Sequence, residues 1–199
     1  MFTGIIKNIG NITETTNSHI KISTNDSEIL KVEEGTSVSV DGACLTVKNI
    51  LKNEITFQTT KETIERTIIS KYSEGSFVNL ELPVRAQDYL SGHIVQGHID
   101  DISNLISVEE IGNKQWIYEF NTKNIKYLVD KGSITVNGVS LTVVKPSNDT
   151  FKTYIIDETY KRTNFQYLEV NSQVNIEYDI LCKYLERLTI DNWHWRNYK

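Results

Sequence analysis

Cysteine and proline each occur only twice in 199 residues, and methionine once. Cys44 and Cys182 are the two cysteines, too few for a disulfide framework and placed without any pairing logic, so a reducing compartment, the cytoplasm, is expected. Pro83 and Pro146 both fall outside the best predicted strands, so little in the chain forbids extended structure. No run approaches the ~20 apolar residues that a spanning helix requires. The opening Met1-Phe2-Thr3-Gly4-Ile5-Ile6-Lys7 lacks a charged region followed by an apolar one, so neither a membrane span nor a signal peptide is expected. Positive charge is also short: 21 Lys and Arg against 26 Asp and Glu leave a net charge of -5. The cations are scattered, which argues against nucleic acid or an anionic membrane as partner. Dinucleotide-type and Walker-type glycine loops are missing, as is the Gly-x-Ser-x-Gly elbow of hydrolases. No cluster of Cys, His and carboxylates stands at zinc spacing, so no metal site is expected.

What is present is an internal repeat. Displaced by 96 residues, Val40-Asp41-Gly42-Ala43-Cys44-Leu45-Thr46-Val47 overlays Val136-Asn137-Gly138-Val139-Ser140-Leu141-Thr142-Val143. At the same offset Glu62-Thr63 meets Glu158-Thr159, Arg66-Thr67 meets Arg162-Thr163, and Val78-Asn79 meets Val174-Asn175. A repeat this long is a small domain, so two domains of roughly 90 to 100 residues carry two copies of one surface. The boundaries expected are 1–93 and 94–189, followed by a tail over 190–199.

Strand signals dominate both copies. Runs such as Ile20 to Ser23, Ser37 to Val40, Ile55 to Thr59, Phe77 to Leu82, Trp116 to Phe120 and Phe151 to Ile156 are separated by Gly, Asn, Asp and Ser clusters. Asp41-Gly42 and Asn137-Gly138 sit between alternating runs, the strongest local signal for a two-residue hairpin. The fold class expected is all-β, with about six antiparallel strands per copy closing into a barrel that leaves no exposed edge. Ile180 to Leu188 is the exception: Ile180, Leu181, Tyr184, Leu185 and Leu188 recur at helical spacing. That helix has no counterpart in the first copy, and with Trp193, Trp195 and Tyr198 after it, it reads as a subunit contact or as docking onto its own barrel.

After each glycine turn, strand alternation puts Leu45 and Val47 on one face and Cys44 and Thr46 on the other, with Leu141 and Val143 against Ser140 and Thr142 in the second copy. Taken singly, the polar face reads as solvated strand; its repetition suggests a surface for a small polar ligand. The duplicated Glu-Thr-x-x-Arg-Thr offers acceptors and paired donors, or else a helix cap with an ion pair. Ser91 to Asp100 holds His93 and His98, which strand periodicity would point to opposite faces, so a shared metal is not expected. Aligning Gly4 with Gly97, at offset 93, sets Ile5 opposite His98: one copy has an imidazole where the other is apolar.

Five ordered segments, Met-Phe-Thr-Gly-Ile-Ile, Gly42 to Val47, Gly92-His93-Ile-Val-Gln-Gly-His98, Gly-Val-Ser-Leu-Thr-Val and Val-Asn-Ile-Glu-Tyr-Asp179, together resemble the riboflavin synthase family from Met1 to about Leu188. The resemblance implies tandem six-stranded Greek-key barrels with a C-terminal helix, over about 180–188, that joins a homotrimer. It implies dismutation of two molecules of 6,7-dimethyl-8-ribityllumazine by transfer of a four-carbon unit, giving riboflavin and 5-amino-6-ribitylaminouracil with no cofactor. The pair would meet between the N-barrel of one subunit and the C-barrel of the next, and association with a lumazine synthase is compatible with it. Carried onto this chain, lumazine contacts fall on Gly4, Ile5 and Ile6, on Cys44, Leu45 and Thr46, and on Gln58, Thr59, Thr60, Lys61, Glu62 and Thr63. They continue on Gly97, His98 and Ile99, on Lys131, on Ser140, Leu141 and Thr142, and on Tyr154, Ile155, Ile156, Asp157, Glu158 and Thr159. Phe2, Ser37, Cys44, His98, Ser140, Thr142 and Asp179 match positions implicated in turnover. The chain departs at Lys7, where an acidic or amide residue is usual, at Ser91 and Asp101, where glycine is common, and at Asp41 and Asn137, which look exchanged.

A non-catalytic lumazine or flavin carrier of the same fold is the rival reading. It is disfavoured because Ser140-Leu141-Thr142, His98 and Asp179 persist where carriers degrade the second site. A flavin-dependent reductase fails for want of a dinucleotide-binding segment.

Overall fold

The computed structural model describes residues 1–196, with side chains through residue 189. In the first repeat, strands β1 (Asn8–Thr15), β2 (His19–Ser23), β3 (Ser37–Val40), β4 (Ala43–Leu51), β5 (Glu54–Gln58) and β6 (Phe77–Glu81) close into a barrel in the order β1-β2-β5-β4-β3-β6. The helix α1 (Lys61–Arg66) crosses between β5 and β6. In the second repeat β7 (Asp101–Gly112), β8 (Gln115–Asn121), β9 (Ser133–Val136), β10 (Val139–Thr142), β11 (Val144–Ser147), β12 (Thr150–Ile156) and β13 (Gln173–Tyr178) are joined in the order β10-β9-β13-β7-β8-β12-β11, with α2 (Asp157–Arg162) in the place of α1. The strands at its two ends are consecutive in the chain, separated only by Val143, and at the repeat offset they overlay the single strand β4. The two repeats are therefore one topology, continuous at β4 and broken at Val143. Pro146 lies inside β11, against expectation, where the pairing with β12 is irregular between Val144 and Ser147; missing a ladder donor is tolerated at such a break.

Both glycine hairpins form as their residue types demand. Val40 pairs Ala43 and Val136 pairs Val139, and Asp41, Gly42, Asn137 and Gly138 all have positive φ (44°, 83°, 45° and 78°). This is the backbone that an Asp-Gly or Asn-Gly turn supplies with little strain. The two turns abut: a Cβ on Gly42 would lie 2.8 Å from the Gly138 nitrogen, and one on Gly138 2.7 Å from that of Gly42. Around them runs a seam of side-chain amides. Asn79 donates to the Asn137 carbonyl (2.8 Å) and accepts from the Asn164 N–H (2.7 Å). Its repeat mate Asn175 donates to the Asp41 carbonyl (2.8 Å) and accepts from the Ile68 N–H (2.9 Å).

The symmetry breaks at Asp41. Its fully buried carboxylate accepts from the Asn79 N–H (2.7 Å), Tyr72 Oη (2.8 Å) and Asn164 Nδ2 (3.0 Å). Burial outweighs these donors and raises its pKa to about 7.

Each barrel has its own apolar core, centred on residues such as Ile20, Val38 and Phe57 in the first and Phe120, Ile134 and Phe151 in the second. Two residues cross over. Ile6, before the first barrel, belongs to the second core, and Ile99, before the second barrel, packs against the first.

The C-terminal helix α3 (Ile180–Arg196) is longer than its apolar spacing predicts. Polar contacts tether it: Glu186 to Lys126 and Tyr127, and Lys183 to Asp100 at 2.8 Å. Leu181, Tyr184, Leu185 and Leu188 remain exposed. The side chains of Trp193, Trp195 and Tyr198 lie outside the described residues. No helix among the described residues is long and apolar enough to cross a membrane.

Candidate functional site

The crossing segments build the site. Phe2 pairs with Val95 as an isolated antiparallel bridge, so the two leading segments run side by side between the barrels. Each is then caught by a carboxylate at the end of its own barrel's last strands. Glu81 accepts from the Thr3 N–H (2.8 Å), Thr3 Oγ1 (2.7 Å) and Gly4 N–H (3.0 Å). Glu177 accepts from the amides of Gln96 (2.6 Å), Gly97 (2.9 Å) and His98 (3.0 Å). Burial raises both carboxyl pKa values against the lowering effect of those amides. Beyond the carboxylates the segments exchange partners: the Cys44 N–H donates to the Gly97 carbonyl (2.9 Å), and the Ser140 N–H to that of Gly4 (2.8 Å). The polar face of each barrel is thus completed by the leading segment of the other repeat.

Both close approaches require glycine. Gly97 and Gly4 have φ of 85° and 75°, and a Cβ on either would lie 2.6 Å from the Cβ of Cys44 or Ser140. The Phe2 ring is fully buried and would be 2.9 Å from that same Cβ on Gly97, so it forms part of the wall behind Cys44.

On the first barrel these elements line an open cavity of about 450 Å³. Seven residues expected from sequence line it: Cys44, Thr60, Glu62, Thr63, Gly97, His98 and Ile99. Arg66 and Thr67 of the duplicated Glu-Thr-x-x-Arg-Thr line it as well, and so does Ala43, which was not foreseen. Thr60 caps α1, its Oγ1 accepting from the Thr63 N–H at 3.2 Å, so the duplicated Glu-Thr motif is a helix start as well as a cavity wall. The ion pair expected of that motif occurs in the second copy alone among the described contacts, between Arg162 and Glu158. Of the other residues expected here, Thr46 pairs with Gln58 and with Ser37 across the sheet, with Thr46 and Gln58 exposed beside the cavity. Leu45 points into the core, Thr59 is buried and Lys61 faces solvent, so these three can offer a ligand only backbone atoms or a rim.

On the second barrel Ser140 and Thr142 stand on the outward face of β10, while Leu141, Ile155 and Ile6 are buried in the core. Tyr154 and Ile156 expose about half their surface, 48% and 55%, where the first copy has Gln58 and Thr60. Ile5 is partly exposed at the place His98 takes in the first site. Lys131 is exposed with a left-handed φ of 67°, where the first copy has Gly35. Asp157 pairs with Lys161 at 2.7 Å, and the Thr159 carbonyl accepts from Thr163 Oγ1 at 2.8 Å. The side chains this face exposes are more apolar than those of the first, with Ile5, Tyr154 and Ile156 where that has His98, Gln58 and Thr60. A separate cavity of about 500 Å³ lies beneath the linker that follows β6, lined by Lys7, Glu81, Arg85 and Tyr89 among others, and meets this face through Thr3 and Ile5. The repeated chemistry is carried by the two polar faces, so the candidate site lies there.

Histidine placement corrects the sequence reading. His93 and His98 lie in irregular backbone rather than a strand, and each serves a different barrel. His98 lines the first cavity together with Cys44. His93 is buried, with Nδ1 2.7 Å from Ser140 Oγ and Nε2 3.1 Å from Thr135 Oγ1. Burial lowers its pKa and the charge of Asp179 opposes that shift. Sequence reasoning gave His93 no role, because its partners come from strands more than forty residues away. Asp179 accepts from the Leu181 N–H at 3.0 Å, so it caps α3 while lying near the second face.

The fold and site define a tandem-barrel protein whose two repeats each present an outward polar face built in the same way. The lumazine binding domain family matches residues 3–83 and 96–179. The riboflavin synthase of Actinobacillus pleuropneumoniae is 36% identical over 195 residues, spanning 96% of this chain and 90% of that protein. The riboflavin synthase of Bacillus subtilis is 37% identical over 191 residues, spanning 94% and 89%. In structure the chain is similar to LumP complexed with riboflavin, with a TM-score of 0.82 and 26% identity over 89% of this chain and 99% of that one. The chain belongs to the riboflavin synthase family, an enzyme family of transferases built from lumazine-binding repeats.

Proposed function

We propose that the chain converts two molecules of 6,7-dimethyl-8-ribityllumazine into riboflavin and 5-amino-6-ribitylaminouracil, moving a four-carbon unit from one to the other without a cofactor. The observation that carries this is the exchange of leading segments, which gives both barrels the same polar face by the same hydrogen bonds. Donor and acceptor are one compound, so one surface used twice suffices, and holding two rings against each other supplies most of the acceleration through effective molarity. The Cys44 and His98 face handles protons, and the Ser140 and Thr142 face, with Tyr154 and Ile156, receives the ring. Phe2, Ser37 and Asp179 support these faces, as wall, cross-strand neighbour and helix cap. The exposed apolar strip of α3 supports assembly into a cytoplasmic homotrimer whose reacting pair lies between an N-barrel and a neighbouring C-barrel.

Incubation of the purified protein with 6,7-dimethyl-8-ribityllumazine should yield riboflavin and the aminouracil in equal amounts. Tight lumazine binding with no riboflavin formed would instead make it a carrier. A chain ending before Ile180 should run as a monomer in sedimentation analysis, and an unchanged assembly mass would remove α3 from the account.

A further inference from the structure

Thr135, His93 and Ser140 form a short chain of hydrogen bonds whose direction can be worked out from burial. Thr135 stands directly across the sheet from Ser140, fully buried, and among the described residues its hydroxyl has only His93 Nε2 as partner. A neutral imidazole carries one proton and one lone pair. If the proton sat on Nε2, Thr135 would accept it, and its own buried O–H would be left with nothing to donate to. An unmade buried hydrogen bond is the costlier arrangement. We infer that Thr135 donates to His93 Nε2, that His93 therefore carries its proton on Nδ1 and donates it to Ser140 Oγ, and that Ser140 is left with its own O–H to give to the ligand. His93 is then a positioning residue and Ser140 a fixed hydrogen-bond donor, fitted to a carbonyl oxygen or ring nitrogen that needs one.

The first copy has no such relay. Ser39 occupies the register of Thr135, paired across from Cys44, and its buried hydroxyl has no hydrogen-bond partner among the described residues. The two faces therefore recognise the same ligand differently, with an oriented hydroxyl on the second barrel and a free thiol beside His98 on the first.

This inference rests on the reading of the Ser140 face as a ligand site, and its test separates the two. Two-bond proton–nitrogen NMR correlations on the ligand-free protein should show His93 protonated on Nδ1; protonation on Nε2 would overturn the proposed direction whatever the ligand. Riboflavin, followed by quenching of its fluorescence, is the binding probe. Thr135→Val removes the bias on the imidazole and should weaken riboflavin binding about fivefold, the usual scale for one neutral hydrogen bond. In a Ser140→Ala background the same substitution should have no effect. An equal loss in both backgrounds would mean that Thr135 acts through packing and would contradict the relay. If the native protein does not bind riboflavin at all, the functional reading fails, and the relay loses its role.

Discussion

The two barrels share a chain trace, a turn chemistry and a pair of carboxylate catches, yet their outward faces are not alike. On the first, Cys44, His98 and Thr60 line an open cleft, with Gln58 exposed on the same sheet. On the second, Ser140, Ile5, Tyr154 and Ile156 take the corresponding places, with a buried imidazole bonded to Ser140. What the copies retain is the machinery that builds each face; what they have changed is the chemistry that the face presents. That division suits a reaction in which two identical molecules must play different parts.

The positioning machinery should be the most sensitive to change. Gly97→Ala and Gly4→Ala each force a Cβ to within 2.6 Å of Cys44 or Ser140 at a positive φ. Thermal unfolding should show each losing about 2–4 kcal/mol, the range for forced clashes and strained backbone. Gly75→Ala, also at positive φ but with nothing within 4 Å, should cost only about 1 kcal/mol. Equal losses at all three would show that backbone conformation, rather than the crossing contact, makes these glycines necessary.

Breaking the difference between the faces should change turnover more than stability. His98→Gln should lower turnover on the order of a hundredfold with the fold intact, the scale of a lost acid–base group. Cys44→Ser should lower it too, because a hydroxyl ionises less readily than a thiol, though by less than His98→Gln, and should leave lumazine binding largely unchanged. Parallel loss of binding and turnover in Cys44→Ser would mark the thiol as a packing group.

The seam gives a prediction in pH. Asp41 has a folded pKa raised to about 7 by burial, above the usual carboxylate value. Its neutral form is therefore the favoured one in the folded protein, and the stability it contributes is complete below about pH 4 and lost as pH rises through 7. Asp41→Asn mimics that neutral form: its oxygen can accept from Asn79 and Asn164, and its amide can donate to Tyr72. The variant should flatten the dependence of melting temperature on pH between 4 and 7, whereas an unchanged slope would mean that other groups dominate it. The smallest effect should come from Arg162→Ala, which removes an exposed helical ion pair found, among the described contacts, in the second copy alone. It should cost no more than about 0.5 kcal/mol.

Much of this architecture was legible in the residues. The 96-residue offset identified the duplication, the Asp-Gly and Asn-Gly pairs fixed two hairpins, and alternation after them assigned Cys44, Thr46, Ser140 and Thr142 to the outward faces. These are local signals or a repeat that needs no gap over its best-matched stretch. The exchange of Gly4 and Gly97 between barrels was not legible, because it depends on which carbonyl a strand amide meets across the molecule. His93 was missed for the same reason, since a histidine between glycines in a loop gives no hint that two distant hydroxyls bracket it. The length of α3 was underestimated because the apolar spacing stops at Leu188, and Thr189, Asp191 and Asn192 beyond it carry no such pattern.

The central claim is that one chain holds two unlike sites for one compound. It is tested most directly by the amount of 6,7-dimethyl-8-ribityllumazine bound at saturation in equilibrium dialysis, using His98→Gln protein to slow its consumption. The account predicts two molecules per chain, taken up in two distinguishable steps, with Ser140→Ala weakening one step and sparing the other. Saturation at one molecule per chain, or one step weakened uniformly by that substitution, would contradict it.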